Sequence, residues 1–156
     1  MFKVLFVCTG NTCRSPMAEV LFRARIVKNQ LEDTITVSSA GLSAMPGSRA
    51  SKNSCLAMQT SGLRLDNHLA RQVTGDCIAS ADLVLTMTKG HKIAILNGAG
   101  QAEGKVFTLP EYAGERVDVI DPFGGNEAVY QDCAKSIQKY LEKIWPKVVA
   151  LSAKKL

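Results

Sequence analysis

Ten consecutive residues constrain this chain more than any others: Val7-Cys8-Thr9-Gly10-Asn11-Thr12-Cys13-Arg14-Ser15-Pro16. Just before them, Lys3-Val4-Leu5-Phe6-Val7 is a short apolar run that reads as a buried strand. Just after them, Met17, Val20, Leu21, Ala24 and Val27 recur at helical spacing, and Pro16 suits a first helical turn. Cys8 to Arg14 is therefore a tight strand-to-helix loop. Its backbone N–H groups should converge on one point, at which the following helix aims its positive end. A cysteine opens the loop and an arginine closes it, with five residues between. A helix N-terminus and a nearby cation both stabilise a thiolate. The planar fork of Arg14 matches two oxygens of a phosphate. The stretch reads as a nucleophile held inside an oxyanion cradle.

Alone, Cys-x5-Arg is a weak signal in a chain with five cysteines and seven arginines. The plainer reading of Cys8 is a buried structural thiol after a strand. The ordered context of strand, Gly10, Ser15-Pro16 and periodic helix is what favours the chemical reading.

At 156 residues the chain is expected to form one domain, residues 1–156, with a core of its own. No apolar run approaches bilayer-spanning length. The N-terminal run is too short for a secretory signal, so a cytoplasmic protein with no membrane association is expected. The cysteines, Cys8, Cys13, Cys55, Cys77 and Cys133, are odd in number and widely spread, which argues against a disulfide scaffold. Cys55, Cys77 and Cys133 are expected as core fillers. With two histidines and no Cys-x2-Cys pair, no structural zinc is expected, and no cofactor is called for. The net charge of +5 comes from scattered residues without an aromatic platform. That is a poor footprint for nucleic acid, which is not expected as a partner, and it suits a phosphorylated substrate.

Along the chain, strands are expected at Thr34–Ser38, Ala81–Met87 and Lys105–Leu109, with Ser39-Ala40-Gly41 ending the first of these. A helix is expected from Ala50 to Ser61 with Gly62 as its stop, a helical turn after Thr74, and a helix capped by Thr88 that ends near Asn97-Gly98. Val117 to Gly125 is a loop carrying Asp121. The last helix presents Tyr130, Cys133, Ile137, Leu141, Ile144, Val148 and Leu151 on one face, with a bend expected at Pro146. Strands alternating with helices give an α/β fold with a parallel sheet covered on both faces, and ligands bind at the carboxyl ends of such strands. Both Cys8 and the Asp121 loop follow strands and can meet at that edge.

The Cys-x5-Arg-Ser-Pro loop, with Asp121-Pro122 far downstream, resembles the low-molecular-weight protein tyrosine phosphatase family. Ser38-Ser39-Ala40-Gly41, Asn67-His68-Leu69-Ala70-Arg71-Gln72-Val73 and Ala81-Asp82-Leu83-Val84-Leu85-Thr86-Met87 match that family's segments in the same order, so the resemblance covers nearly the whole chain. It implies a flavodoxin-like, three-layer α/β/α fold with a four-stranded parallel sheet. It also implies metal-free phosphate hydrolysis through a phosphocysteine, with phosphorylated proteins as substrates and a monomer or weak homodimer as the working form. Within the family, Cys8 to Arg14, Lys105 to Leu109 and Asp118 to Gly125 are similar to the bacterial protein arginine phosphatases. Tyrosine-specific members carry an aliphatic residue where Thr12 stands and a second aromatic where Gly124 follows Phe123. Their loop tryptophan or tyrosine is also absent between Leu42 and Arg49.

On this reading Cys8 attacks phosphorus. The amides of Thr9, Gly10, Asn11, Thr12, Cys13 and Arg14, with the Arg14 fork, hold the equatorial oxygens. Asp121 protonates the leaving group and then deprotonates water, and Pro122 keeps its loop extended. Asn11 suits a left-handed conformation. The resemblance implies that Ser15, Ser39 and His68 hydrogen-bond around it. Thr12 can accept from a guanidinium N–H and Phe123 can stack on the guanidinium plane, which favours phosphoarginine. Cys13 is a candidate partner for Cys8 in a reversible disulfide. The plainer readings are a loop acid for Asp121, an ordinary histidine for His68, a turn-former for Thr12 and a packing thiol for Cys13. Three alternatives stay open: a tyrosine phosphatase, an arsenate reductase, for which no clustered cysteine pair appears around residues 77–90, and a phosphoprotein-binding module without turnover.

Overall fold

Alternate side chains of the first strand, β1 (Phe2–Cys8), enter two different apolar cores, and the layers of the molecule follow from that. The computed structural model describes residues 1–155. After β1 come α1 (Arg14–Lys28), β2 (Ile35–Gly41), α2 (Lys52–Thr60), α3 (Gly75–Ser80), β3 (Leu83–Thr86), α4 (Lys89–Gly98), a 3-10 segment (Gly100–Lys105), β4 (Val106–Thr108), α5 (Leu109–Tyr112) and α6 (Glu127–Lys154). The strands form one parallel sheet in the order β2-β1-β3-β4, with Cys8 opposite Gly41 and Val7 opposite Thr86. Val4 and Phe6 face a core built with α1, α2 and α6, whereas Leu5 and Val7 face a smaller one built with α3 and α4. Because the connections diverge on either side of β1, its carboxyl end is a topological switch point, where such sheets bind ligands.

Phe22 locks α1 to this frame. It is fully buried, with its ring edge-to-face on Phe6 at 5.7 Å and on Trp145 at 5.4 Å. Phe22→Ala should lower the unfolding free energy by about 3–5 kcal/mol, read from urea denaturation, since a cavity would open between the sheet and α6.

The architecture is as expected, and several boundaries differ. The buried face of α1 is Met17, Ala18, Leu21, Phe22 and Ile26, and Val27 is exposed. Phe22 and Ile26 are buried in the core beneath the helix, and Val20 packs against the same core half-buried. β2 does not end at Ser38 but runs through Gly41, because Ser39-Ala40-Gly41 pairs with Phe6-Val7-Cys8. β3 and β4 are shorter than the apolar runs that contain them. Leu109 belongs to α5 instead, because Thr108 caps that short helix and Pro110 fits its first turn. α2 starts at Lys52 rather than Ala50, with Ser51 as its cap; a helix follows Thr74, which caps it, and Thr88 caps α4 as expected. α6 runs as one helix with Pro146 inside it. Cys133 is buried, but Cys55 and Cys77 are only half-buried. Cys77 Sγ serves the cap of α3, accepting from Thr74 N at 3.2 Å.

Candidate active site

The loop from Thr9 to Cys13 leaves β1 and turns directly into α1. Ser51, Thr88 and Asn126 cap α2, α4 and α6 with side-chain oxygens, but α1 starts with Cys13 at its cap position and no side-chain cap bond. Its first-turn amides are thus left to an anion. Cys8 is 3% exposed, and Ser15 Oγ lies 2.9 Å from its sulfur, placed to donate to a thiolate.

Asn11 shapes the turn. It is fully buried with φ of 56°, the left-handed geometry expected of it. Its Nδ2 donates to Ser15 Oγ and Ser39 Oγ, each at 2.9 Å, and its Oδ1 accepts from Arg71 N at 2.9 Å. His68 Nε2 lies 2.7 Å from its carbonyl oxygen. Ser39 in turn donates to Glu19, which also pairs with Arg23. Beneath the turn, Gly41 leaves no room for a side chain. A Cβ there would stand 2.6 Å from Thr9 O and 2.9 Å from Asn11 N.

Arg14 is 4% exposed. Its Nη1 donates to Val119 O at 3.0 Å, and its Nη2 lies 3.5 Å from Asp121 Oδ2. One arginine therefore holds the loop that carries the acid. That loop is also tied to the end of β3 by Val119 N donating to Met87 O at 2.9 Å. Asp121 Oδ1 accepts from Phe123 N at 3.1 Å across Pro122, and its half-exposed carboxylate faces the cradle from solvent. Beside it, Ile120 and Phe123 stand more than four-fifths exposed. The structure thus brings together Cys8, Arg14, Asp121 and the supporting Ser15, Ser39 and His68.

Thr12 is half-buried. Among the described residues its hydroxyl has no oxygen or nitrogen partner, only a 3.7 Å contact with Cys13 Sγ. It does not bond its own backbone, as a simple turn-former would. Cys13 is buried, 3.3 Å from Tyr130 Oη and 3.5 Å from Ser51 Oγ. All five cysteines are free thiols. A disulfide to Cys8 would have to take the Cys13 sulfur away from both partners.

Sequence reasoning missed two residues at this site. His91, on α4, is buried and shares a 2.9 Å hydrogen bond between its Nε2 and Thr9 Oγ1, while its Nδ1 has no partner among the described residues. Burial, and then the Arg14 cation, push its pKa down. Its position three residues after the capping Thr88 was the one available signal. Tyr130, on α6, reaches Cys13 from 117 residues away. Burial and the bond to Cys13 push its phenol up to about 12. Burial likewise pushes the Cys133 thiol up to about 12, so it is protonated at neutral pH.

Two concavities flank the cradle without including it. One of about 440 Å³ lies behind it against Ser39, His68 and Arg71, and one of about 830 Å³ lies between α4 and the acid loop at Asp118. Among the described residues no cluster of three or more His, Cys, Asp or Glu side chains could hold a metal ion, and no helix is long and apolar enough to cross a membrane.

Comparison with known proteins bears out the resemblance read from the loop. The family model for low molecular weight phosphotyrosine protein phosphatase matches residues 3–155. The chain belongs to that family. The protein-arginine-phosphatase of Bacillus subtilis is 41% identical to this phosphatase over 142 residues, 90% of this chain and 93% of its own. A solved arginine phosphatase, YwlE, in a mutant form whose active-site serine is phosphorylated, superposes with a TM-score of 0.89 at 38% identity, over 94% of this chain and 95% of that one. A low molecular weight protein tyrosine phosphatase from T. tengcongensis gives 0.90 at 34% identity, over 94% and 99% of the two chains. This family member is a cysteine-dependent phosphatase on a four-stranded parallel sheet.

Proposed function

We propose that the chain is a protein arginine phosphatase. In the first step the Cys8 thiolate forms an S–P bond as the P–N bond breaks, and the Asp121 carboxyl gives its proton to the departing guanidine nitrogen. In the second step Asp121 takes a proton from water as that water attacks phosphorus, which releases phosphate and restores the thiolate. The Arg14 fork and the loop amides stabilise the equatorial oxygens in both steps. Leaving groups this basic need an acid: a phenol has a pKa of about 10, and a guanidine nitrogen is a stronger base than a phenolate oxygen.

The observation that carries the choice of substrate is the hydroxyl of Thr12. It is half-buried in the loop with no oxygen or nitrogen partner among the described residues, and can accept an N–H from a guanidinium. An aromatic ring would leave that hydroxyl unpaired, at a cost of about 1–3 kcal/mol. Exposed Phe123, followed by Gly124 rather than a second aromatic, offers one ring face to a guanidinium plane. Similarity to the Bacillus subtilis arginine phosphatase supports the same reading.

Turnover of phosphoarginine and phosphotyrosine peptides tests it. The wild type should prefer phosphoarginine, and Thr12→Ile should lower kcat/KM on phosphoarginine by roughly tenfold to a hundredfold while sparing or raising activity on phosphotyrosine. A wild type that prefers phosphotyrosine would make the chain a tyrosine phosphatase with the same mechanism.

A further inference from the structure

We propose that the first turn of α4 is a bracket that sets the distance between the nucleophile loop and the acid loop, with His91 and Asp118 as its two positioning side chains. Four contacts within five residues make the case. Met87 N donates to Val7 O at 3.0 Å, just before Cys8, and Met87 O accepts from Val119 N at 2.9 Å, just before Asp121. Lys89 N donates to Asp118 Oδ1 at 2.9 Å, and His91 Nε2 shares its 2.9 Å bond with Thr9 Oγ1. Thr88 caps the turn by accepting from His91 N at 3.2 Å. The strand end and the helix start thus hold one loop with each hand, each loop by one backbone bond at Met87 and one side-chain bond from the helix start.

His91 is an odd choice for packing alone. A buried apolar side chain would fill the position without leaving a ring nitrogen unpartnered, as Nδ1 is here among the described residues. What the imidazole supplies is a polar atom that reaches Thr9. Asp118 likewise bonds an α4 amide and not a cation. Neither side chain need touch the substrate. Their effect is on whether the Asp121 carboxyl meets the departing atom at proton-transfer distance, where small displacements are costly. The inference rests on Asp121 acting as the acid, as proposed above.

The test is the dependence of rate on leaving-group basicity. His91→Leu and Asp118→Ala are assayed on phosphoarginine, on phosphotyrosine and on an aryl phosphate whose electron-poor phenol leaves without protonation. Each variant should lose about tenfold to a hundredfold on the basic leaving groups and less than about threefold on the activated one. The double variant should be little worse than the poorer single one, because one loosened end already frees the loop. His91→Gln, whose amide can still reach Thr9, should recover most of the loss. Equal losses on all three substrates, or no loss on any, would overturn the bracket. Asp118 lies on the surface loop, so its variant keeps the test valid even where His91→Leu folds poorly. Asp121→Asn serves as the reference. If it too shows no leaving-group dependence, the acid assignment fails. If it does and the bracket variants do not, only the bracket fails.

Discussion

Cys8→Ser should end multiple turnover, with kcat falling on the order of 10⁶, as when the nucleophile is removed from a concerted catalytic set. The fold should be untouched, since a hydroxyl can keep the contact that Cys8 Sγ makes with Ser15 Oγ. A serine hydroxyl is a poor nucleophile near neutral pH. Once it has been phosphorylated, the second step must expel an alkoxide where the native enzyme expels a thiolate. The variant should therefore react once and stop, and intact-mass spectrometry after incubation with phosphoarginine protein should find one phosphoryl group on residue 8. The YwlE structure with a phosphorylated active-site serine shows such a species in a relative. Steady-state activity within tenfold of wild type would mean that the sulfur is not the attacking atom.

The second large effect is at Asp121. Asn keeps the shape of the side chain and its bond from Phe123 N, so the turn over Pro122 should stay as it is. What it lacks is a transferable proton. Asp121→Asn should cost about 10²–10⁴ in kcat on phosphoarginine, and far less on a substrate whose leaving group departs as a stable anion. The carboxylate lies 3.5 Å from Arg14, so the same change also removes a charge from the mouth of the cradle. KM should therefore fall or hold steady while kcat drops, a split that simple damage to the site would not produce. Stopped-flow measurement of the first turnover separates the two steps.

The nucleophile, the arginine and the left-handed Asn11 were legible in ten residues because the chemistry there is local: strand, turn and helix follow one another and the loop folds on itself. Ser39 and His68 were found only through resemblance, since nothing in their own neighbourhoods says that they converge on Asn11 from 28 and 57 residues away. His91 and Tyr130 show the same limit from the other side. Each makes its one telling contact, with Thr9 or Cys13, across 82 or 117 residues, and hydrophobic periodicity carries no record of such pairings. Strand ends were misjudged for a related reason. Apolar residues run past the last paired position, as at Met87 and Leu109, because they are buried by helices after the ladder has stopped. The face of α1 shifted because Phe22, not the count of aliphatic residues, decides which side meets the sheet.

Gly41 presses against the turn from below, and Asn11 is gripped by Ser39 of β2 and by His68 and Arg71 of the loop before α3. These supports fix the shape of the turn, while the Thr12 hydroxyl has no oxygen or nitrogen partner among the described residues and Phe123 is exposed. With Thr12 and Phe123 setting selectivity as proposed, grip on phosphorus and taste for what is attached to it are separable traits. A duplicated gene could then exchange an amine-bearing target for a phenolic one through changes at those two positions alone, with the turn and its supports held constant.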